Sequence, residues 1–566
     1  MTAKGISGAI RGVAAADPGA VALLDDRGSV SYGELVRLVD AAGQRLASSG
    51  CRRGSVVALD LPRTRDWVVA LLAILDTGAS YLPLRPQDPA SRRDAVLSSA
   101  GARVLLTVDG VRSLDGRAEQ PGPGYILATS GSTGVPKLVD VPEAGLLNHA
   151  AGFTSLVGLT SRDVVLQMAS PAFDTHAEEL FPALMAGAAV ALLPEEARAS
   201  PEEVLGHCAR AGITLLDLPT SLLPAIVRVL KDGRASLPAS VRAVVVGGER
   251  LHRSVLDAWF EVSPGVAIFN TYGPTEASII VTGTRLAEGE RGEVSIGRPL
   301  PGCSVHILDE ELRELPPGEI GMLWIGGRGL ARGYVGDPAA TAAGFVAHPL
   351  AGEGGRLYRT GDLACRRPDG DLEFVGRADG QVKVRGHRVE PGEIESVLVS
   401  HHAVDDAAVV AEPTPDGVRL IAYVAAASGP PAADELDDLL GRALPDYMQP
   451  AQLRWLPAIP RTATDKLDRA ALAGLDAPPL SRRRRGGDAG TDTESRLLAI
   501  WRELLEDDAV GVDDDFFAAG GHSLLAVQVI ARIQAELGRR VRLRDLFANP
   551  TVTAFAPVVD SADAHA

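Results

Sequence analysis

At 566 residues the chain is too long for one hydrophobic core and predicts three or four folding units. An apolar fraction of 46% is that of an ordinary globular protein. The balance of 56 basic against 73 acidic residues leaves −17, which excludes a general binder of nucleic acid or anionic membrane.

Arg11, Asp17, Asp25 and Asp26 break up the early apolar runs, so no signal peptide is expected. No later window reaches the roughly 18 apolar residues of a membrane span. Cys51, Cys208, Cys303 and Cys365 are too scattered for a metal pattern or a disulfide framework, so a cytoplasmic setting is expected. Ser31 precedes an amphipathic helix from Tyr32 to about Ser48. Val56 to Leu59 reads as a buried strand, Trp67 to Leu75 as a helix, and Gly78 to Leu84 as a return to strand. That alternation predicts parallel α/β layers.

The apolar run Tyr125–Ala128 then enters Thr129, Ser130, Gly131, Ser132, Thr133 and Gly134, with Pro136 and Lys137 behind them. Glycines let backbone N–H groups turn inward and hydroxyls add donors, a concave arrangement suited to polyphosphate, with Lys137 as a point charge. It is not a Walker A loop, because Gly-Lys-Ser/Thr opening a helix is missing and Pro136 removes a donor. An isolated run of this kind is usually a plain surface loop. Here the chain holds only five lysines (Lys4, Lys137, Lys231, Lys383 and Lys466), so Lys137 is not background.

In Pro171–Pro182, Asp174 and Glu178 are four apart and share one helical face, where the ordinary fate of carboxylates is solvation. His176, with no partner at metal spacing, reads as an exposed or satisfied histidine. Asp217 interrupts the strand-like run 213–219, and a lone carboxylate there needs a cation or an internal donor. Val241–Val246 is a further buried strand, ending in Gly247, Gly248 and Glu249. Asn270–Glu276 reads as a strand–turn–helix junction in which Tyr272 can stack on a purine, Thr275 can donate to a phosphate and Glu276 can hold Mg²⁺.

With Gly318–Gly327, Tyr358–Leu363, Gly376–Glu390, Pro445–Met448 and Pro460–Lys466 in the same order, the chain resembles an adenylation domain of nonribosomal peptide synthesis, within the adenylate-forming superfamily. The resemblance implies a large α/β N-terminal domain (1–378) and a small, mobile α+β domain (379–475). It implies ATP and Mg²⁺ as cofactors, with Thr129–Gly134, Lys137, Gly248, Asn270, Tyr272, Gly273, Thr275 and Glu276 around the nucleotide. Asp362 would hold the ribose, Arg377 would reach the nucleotide, Asp379 would be the hinge, and Lys466 would bridge substrate carboxylate and nucleotide. Two residues depart from the family pattern: Leu138 stands for glycine after the lysine, and Asp465 for glycine before Lys466. His401, His402 and Asp406 imitate part of a condensation motif, but Ala407 replaces its glycine, so the segment reads as a helix-to-strand connection.

Residues 476–490 turn to Pro, Arg, Gly and Asp and read as a linker, the Arg482–Arg485 run included. A helix from Thr493 carries Leu497, Leu498, Trp501, Leu504 and Leu505 at helical spacing. Phe516-Phe517 and Gly520-Gly521-His522-Ser523-Leu524 resemble a peptidyl carrier signature, implying an all-α four-helix carrier over 491–560 with 4′-phosphopantetheine on Ser523. An N-capping serine is the plain alternative.

By family position the substrate pocket is Asp174, Thr175, Glu178, Asp217, Val245, Gly247, Thr271, Ile279, Ile280 and Lys466. The resemblance assigns Asp174 to an amino group. Glu178 and Asp217 then form a second acidic pair, sensible for a second ammonium and hostile to neutral side chains. Small Gly247 leaves room for a long chain. A basic diamino acid is expected, with β-lysine first because the set resembles pockets of streptothricin- and viomycin-type assembly lines; lysine or ornithine is the alternative. The implied chemistry is adenylation of the carboxylate, then thioester transfer to the carrier arm. A coenzyme A or aryl-acid ligase is the rival class, which needs neither Ser523 nor Asp174. Implied partners are a phosphopantetheinyl transferase and a downstream condensation domain in trans, with a small MbtH-type protein also admitted.

Overall fold

Ser31 caps the first long helix, Tyr32–Ser48, by accepting a hydrogen bond from the Glu34 N–H. Its stripe of Tyr32, Leu35, Val39, Ala42 and Leu46 is buried. Strand Val56–Asp60, helix Arg65–Asp76 and strand Ser80–Pro83 follow, the two strands parallel with Val57 beside Tyr81. In this computed structural model the described residues are 5–562 without Pro86, 117–121, 131–135, Ala199, Arg291, 352–354, 379–380, 385–386, 415–416, 427–428, 462–466, 473–474, Asp476, Pro479, 481–486, Asp488, Glu506, 508–509, 517–518, Gly520, His522 and Arg540.

The chain forms two compact units, one of residues 1–393 with 444–447, the other of 394–443 with 448–566. Among the described residues the first unit carries a 14-stranded and a 7-stranded sheet. In the smaller sheet, Gly124–Thr129 and Lys137–Pro142 pair as a hairpin with Thr129 opposite Lys137, so the phosphate-loop candidate is the connection of that hairpin. In the larger, Leu215–Pro219, Ala243–Gly247 and Ala267–Tyr272 run parallel, with Asp217 beside Val245 and Val245 beside Phe269. Strands buried on both faces read as unbroken apolar runs, which is why they are visible in the sequence. Their carboxyl ends gather where ligands sit in open α/β sheets.

The junction after Ala267–Tyr272 differs from expectation. Only a 3-10 turn, Thr275–Ala277, stands where a helix was expected, and the chain doubles back into the antiparallel strand Thr282–Leu286. Ser278 and Ile279 take φ of 61° and 77° to make that reversal. For a β-branched residue this costs about 1–3 kcal/mol. Gly273 permits it, because a Cβ there would lie 2.3 Å from the Ile279 carbonyl oxygen.

The hairpin Val382–Val384 and His387–Val389, on the small-domain side of the division expected at 378/379, groups with the first unit. The physical reason is its contacts: Ser130 Oγ donates to the Arg388 carbonyl at 2.8 Å, and the His387 ring stacks 3.7 Å from Tyr447.

In the second unit, Asp406–Thr414 and Gly417–Ala425 pair antiparallel, and Gln452–Leu456 joins parallel to the latter. His401 and His402 fall between a helix ending at Val399 and this first strand, and Asp406 pairs with Arg461 at 2.8 Å. The same unit holds helices Asp492–Leu505, Ser523–Leu537, Leu543–Ala548 and Val552–Ser561 around Leu497, Trp501, Phe516, Val529 and Phe555. Ser523 is the first residue of its helix. Among the described residues no helix is long and apolar enough to cross a membrane. Trp501 is fully buried, 4.9 Å from the Phe516 ring. Trp501→Ala is therefore expected to destabilise the helical bundle by about 3–5 kcal/mol, read by hydrogen exchange in the intact chain.

Candidate functional site

Glu178 lies on the first turn of helix Thr175–Ala186, and Asp217 on the middle of a parallel strand; their exposures are 2% and 4%. The face carrying Glu178 is thus not a solvated one. The two carboxyls share a hydrogen bond, which requires a proton between them. Burial, and for Glu178 also the charge of Asp217, raises both above the ordinary carboxylate range, Asp217 to about 7. Glu178 Oε2 and Asp217 Oδ2 have no hydrogen-bond partner. His149, on helix Glu143–Val157, brings Nε2 to 3.2 Å from Glu178 Oε2 but out of line for a hydrogen bond. Burial lowers the imidazole to about 3, so it is neutral and does not offset the pair. Asp217's compensation is therefore neither a cation nor a neutral donor but a second acid.

Of the other predicted pocket residues, Val245 lies beside Asp217 on the neighbouring strand. Asp174 precedes the helix that Thr175 opens, half-buried, and accepts from the Thr275 hydroxyl at 2.6 Å. Burial raises its carboxyl, opposed by that hydrogen bond and by Lys383. Thr275, expected to donate to a phosphate, here donates to Asp174, the 3-10 turn bringing the two side chains together. Val245, Thr271, Ile279 and Ile280 are buried. Gly247 has a reason beyond substrate length: a Cβ there would meet Thr271 Oγ1 at 2.5 Å.

On the nucleotide side, Glu276 is 1% exposed and accepts from Arg388 at 2.9 and 3.0 Å and from the Tyr334 hydroxyl at 2.9 Å. Burial pushes its carboxyl up, but Arg388 and hydrogen bonds including those of Tyr334 and Tyr358 prevail and hold it below the ordinary value. Lys137 Nζ sits 5.4 Å over the Tyr334 ring. Asp362 accepts from Tyr272 and, at 2.6 Å, from Arg377. Tyr272 thus spends its hydroxyl on the residue expected to hold ribose. The Asn270 side chain, expected at the nucleotide, donates to the Ser295 carbonyl at 2.7 Å and so ties two strands together. Thr129 Oγ1 lies 3.3 Å from the Lys137 carbonyl, closing the hairpin neck, and Gly248 takes a φ of 87°. Gly131, Ser132, Thr133, Gly134, Asp379 and Lys466 lie outside the described residues, as do Arg482–Arg485.

Glu276 is one ionised hard-oxygen donor, and no group of three or more His, Cys, Asp or Glu among the described residues could hold a metal. That set fits Mg²⁺ taking most of its ligands from phosphate and water, with Arg388 standing against both carboxylate oxygens in this arrangement. Ser523 at a helix start fits attachment of a prosthetic group.

Four residues of the site have no signal in the sequence. His149 and Tyr334 occupy ordinary positions, and Arg388 is one of many arginines. Glu179 is masked by its neighbour Glu178; it accepts from Gln167 Nε2 and from the Met168 and Ala169 N–H groups, and burial raises it to about 8. His176 is buried and satisfied, Nε2 lying 2.9 Å from the Tyr81 hydroxyl.

Comparison with known proteins places three families along the chain: AMP-binding enzyme over residues 10–335, AMP-binding enzyme C-terminal domain over 393–466, and phosphopantetheine attachment site over 495–557. Novobiocin biosynthesis protein H of Streptomyces niveus is 37% identical over 96% of this chain and 94% of its own length. Phosphinothricin tripeptide synthetase PhsB of Streptomyces viridochromogenes is 38% identical over 97% of this chain, which spans 48% of that relative's length. Several other relatives are longer still, and the chain spans a quarter of their length or less. Among solved structures, holo-PA1221, an NRPS protein containing adenylation and PCP domains bound to a vinylsulfonamide inhibitor, superposes with a TM-score of 0.82 at 28% identity, covering 99% of this chain and 97% of that one.

The acid pair has a consequence for stability. Because folding raises both carboxyls, their contribution is present at low pH and lost as pH climbs above the ordinary carboxylate range, for Asp217 through about 7. Asp217→Asn keeps the shape and removes the charge. It is expected to gain on the order of 1 kcal/mol over the parent at about pH 8.5 and to lose that advantage at about pH 5, as measured by thermal unfolding.

Proposed function

The chain belongs to the AMP-binding enzyme family, as an adenylating ligase of the nonribosomal peptide synthetase type with its own carrier domain, and from that premise we propose that its substrate is a basic diamino acid, β-lysine first. The observation that carries this reading is the buried Glu178–Asp217 pair, whose Glu178 Oε2 and Asp217 Oδ2 lack partners and whose nearest imidazole is neutral. The charged groups acting most strongly on Glu178 are Asp217, Asp174 and Glu179, all acidic. A side-chain ammonium would replace the shared proton and pair with both carboxylates, while a neutral side chain would leave buried charge or unpaired oxygens, costing about 1–3 kcal/mol or more.

In this reading Asp174 receives the substrate's other amino group, and the neighbouring apolar wall of Val245, Ile279 and Ile280 takes the methylenes. The carboxylate attacks the α-phosphorus of ATP, pyrophosphate leaves, and an acyl-adenylate forms. No protein nucleophile is needed; positioning and charge complementarity carry the step. Lys137, with Ser130–Gly134, would cradle the phosphates, Lys466 would bridge carboxylate and nucleotide, and Asp362 and Arg377 would meet the ribose side. Mg²⁺ held at Glu276 supplies charge neutralisation at the phosphates. Phosphopantetheine held on Ser523 would supply the thiol that takes the acyl group with release of AMP, and Asp379 would be the pivot between the two half-reactions. A phosphopantetheinyl transferase and a downstream condensation domain are the proposed partners. Lysine and ornithine remain alternatives, since a methylene is worth only about 1–3 kcal/mol. The carrier signature and Asp174 both speak against an aryl-acid or coenzyme A ligase.

Amino-acid-dependent ATP–pyrophosphate exchange across β-lysine, lysine, ornithine and neutral amino acids tests the substrate class; preference for a neutral one overturns it. Glu178→Gln is expected to raise KM for diamino acids by about tenfold or more, with little effect on residual turnover of neutral ones. Ser523→Ala is expected to leave exchange intact and abolish loading of the labelled amino acid onto the chain.

A further inference from the structure

The environment of Glu178 differs on its two sides. One faces Asp217; at the other stands His149, 3% exposed, with neither Nδ1 nor Nε2 in a hydrogen bond. A fully buried imidazole without partners is rare, because each unpaired polar atom costs desolvation without return. Its ring is otherwise held by packing, the Phe153 ring lying 5.9 Å away four residues along the same helix. The 3.2 Å from Nε2 to Glu178 Oε2 is already hydrogen-bonding distance; only alignment is missing.

We propose that His149 is a specificity-determining positioning residue, whose Nε2–H engages Glu178 Oε2 once substrate is bound and fixes the Glu178 and Asp217 carboxylates in the geometry that receives one side-chain ammonium. This rests on the diamino-acid reading and extends it. Glu178 has three rotatable side-chain bonds, and two ionised carboxylates repel each other. Without a donor behind Glu178, the pair would splay when its shared proton departs. A neutral imidazole can supply that donor without supplying a countercharge, so the countercharge is left to the substrate. The free Nδ1 means that no other bond fixes the tautomer in advance, and Nε2–H is available on demand. Asp217, on a strand, has a shorter side chain and needs no such support.

The test compares wild type, His149→Phe and His149→Gln in ATP–pyrophosphate exchange with lysine, ornithine, β-lysine and norleucine, which has lysine's carbon chain without the second amine. For the best diamino acid, His149→Phe is expected to raise KM about tenfold, the worth of one hydrogen bond to a charged group, with kcat changed less than about threefold. His149→Gln, which keeps an N–H, is expected to recover most of that loss, and norleucine is expected to respond to neither variant. Equal loss for diamino acids and norleucine, a fall in kcat alone, or no change at all overturns the proposal while leaving the diamino reading standing. Wild-type preference for norleucine overturns both. Where His149→Phe does not fold, ¹⁵N resonances of the histidine side chains in wild type decide: bound lysine is expected to shift His149 to the Nε2–H tautomer, and an unprotonated Nε2 in the lysine complex overturns the proposal.

Discussion

A carboxylate taken out of water must be answered by a proton, a cation or hydrogen-bond donors, and the site is arranged around how each acid meets that demand. Glu276 is answered by a guanidinium and two tyrosines and stays ionised. Asp362 is answered by Arg377 and Tyr272. Glu179 is answered by an amide and two backbone N–H groups, Asp174 by a hydroxyl. Only Glu178 and Asp217 answer each other, which is the weakest solution because it works only with a proton held between them. Among the described residues the nucleotide-side acids are each met by a donor or a cation, and this pair is not.

The arrangement of Glu276 shows the same demand from the other direction. Arg388 arrives on a hairpin fixed to the first unit by Ser130 and by the stacked His387 and Tyr447 rings. The guanidinium meets both oxygens of the one acid suited to Mg²⁺. A carboxylate has about four lone-pair sites, so the guanidinium leaves acceptor capacity on Glu276.

Much of this was legible in the sequence, for identifiable reasons. Parallel strands buried on both faces leave unbroken apolar runs, so the strands bearing Asp217, Val245 and Thr271 could be found without structure. The i, i+4 spacing put Asp174 and Glu178 on one face. What the sequence could not carry was partnership across long separations. Nothing near residue 149 in the chain signals Glu178, and nothing near residue 388 signals Glu276. Local propensity also misled at Pro274–Ala277, where a tertiary demand for chain reversal replaced the expected helix with a 3-10 turn and a strained isoleucine. The partners that Asn270 and Thr275 take here, Ser295 and Asp174, lie 25 and 101 residues away and were illegible for the same cause.

The contact between Gly247 and Thr271 carries a lesson for anyone wishing to redirect the enzyme. A shorter or branched guest calls for a bulkier residue at 247, yet even a methyl group there would come within 2.5 Å of the Thr271 hydroxyl. The two positions therefore form one unit of variation, and a library that randomises them separately samples mostly clashes. Retuning the length of the accepted guest begins with both changed together.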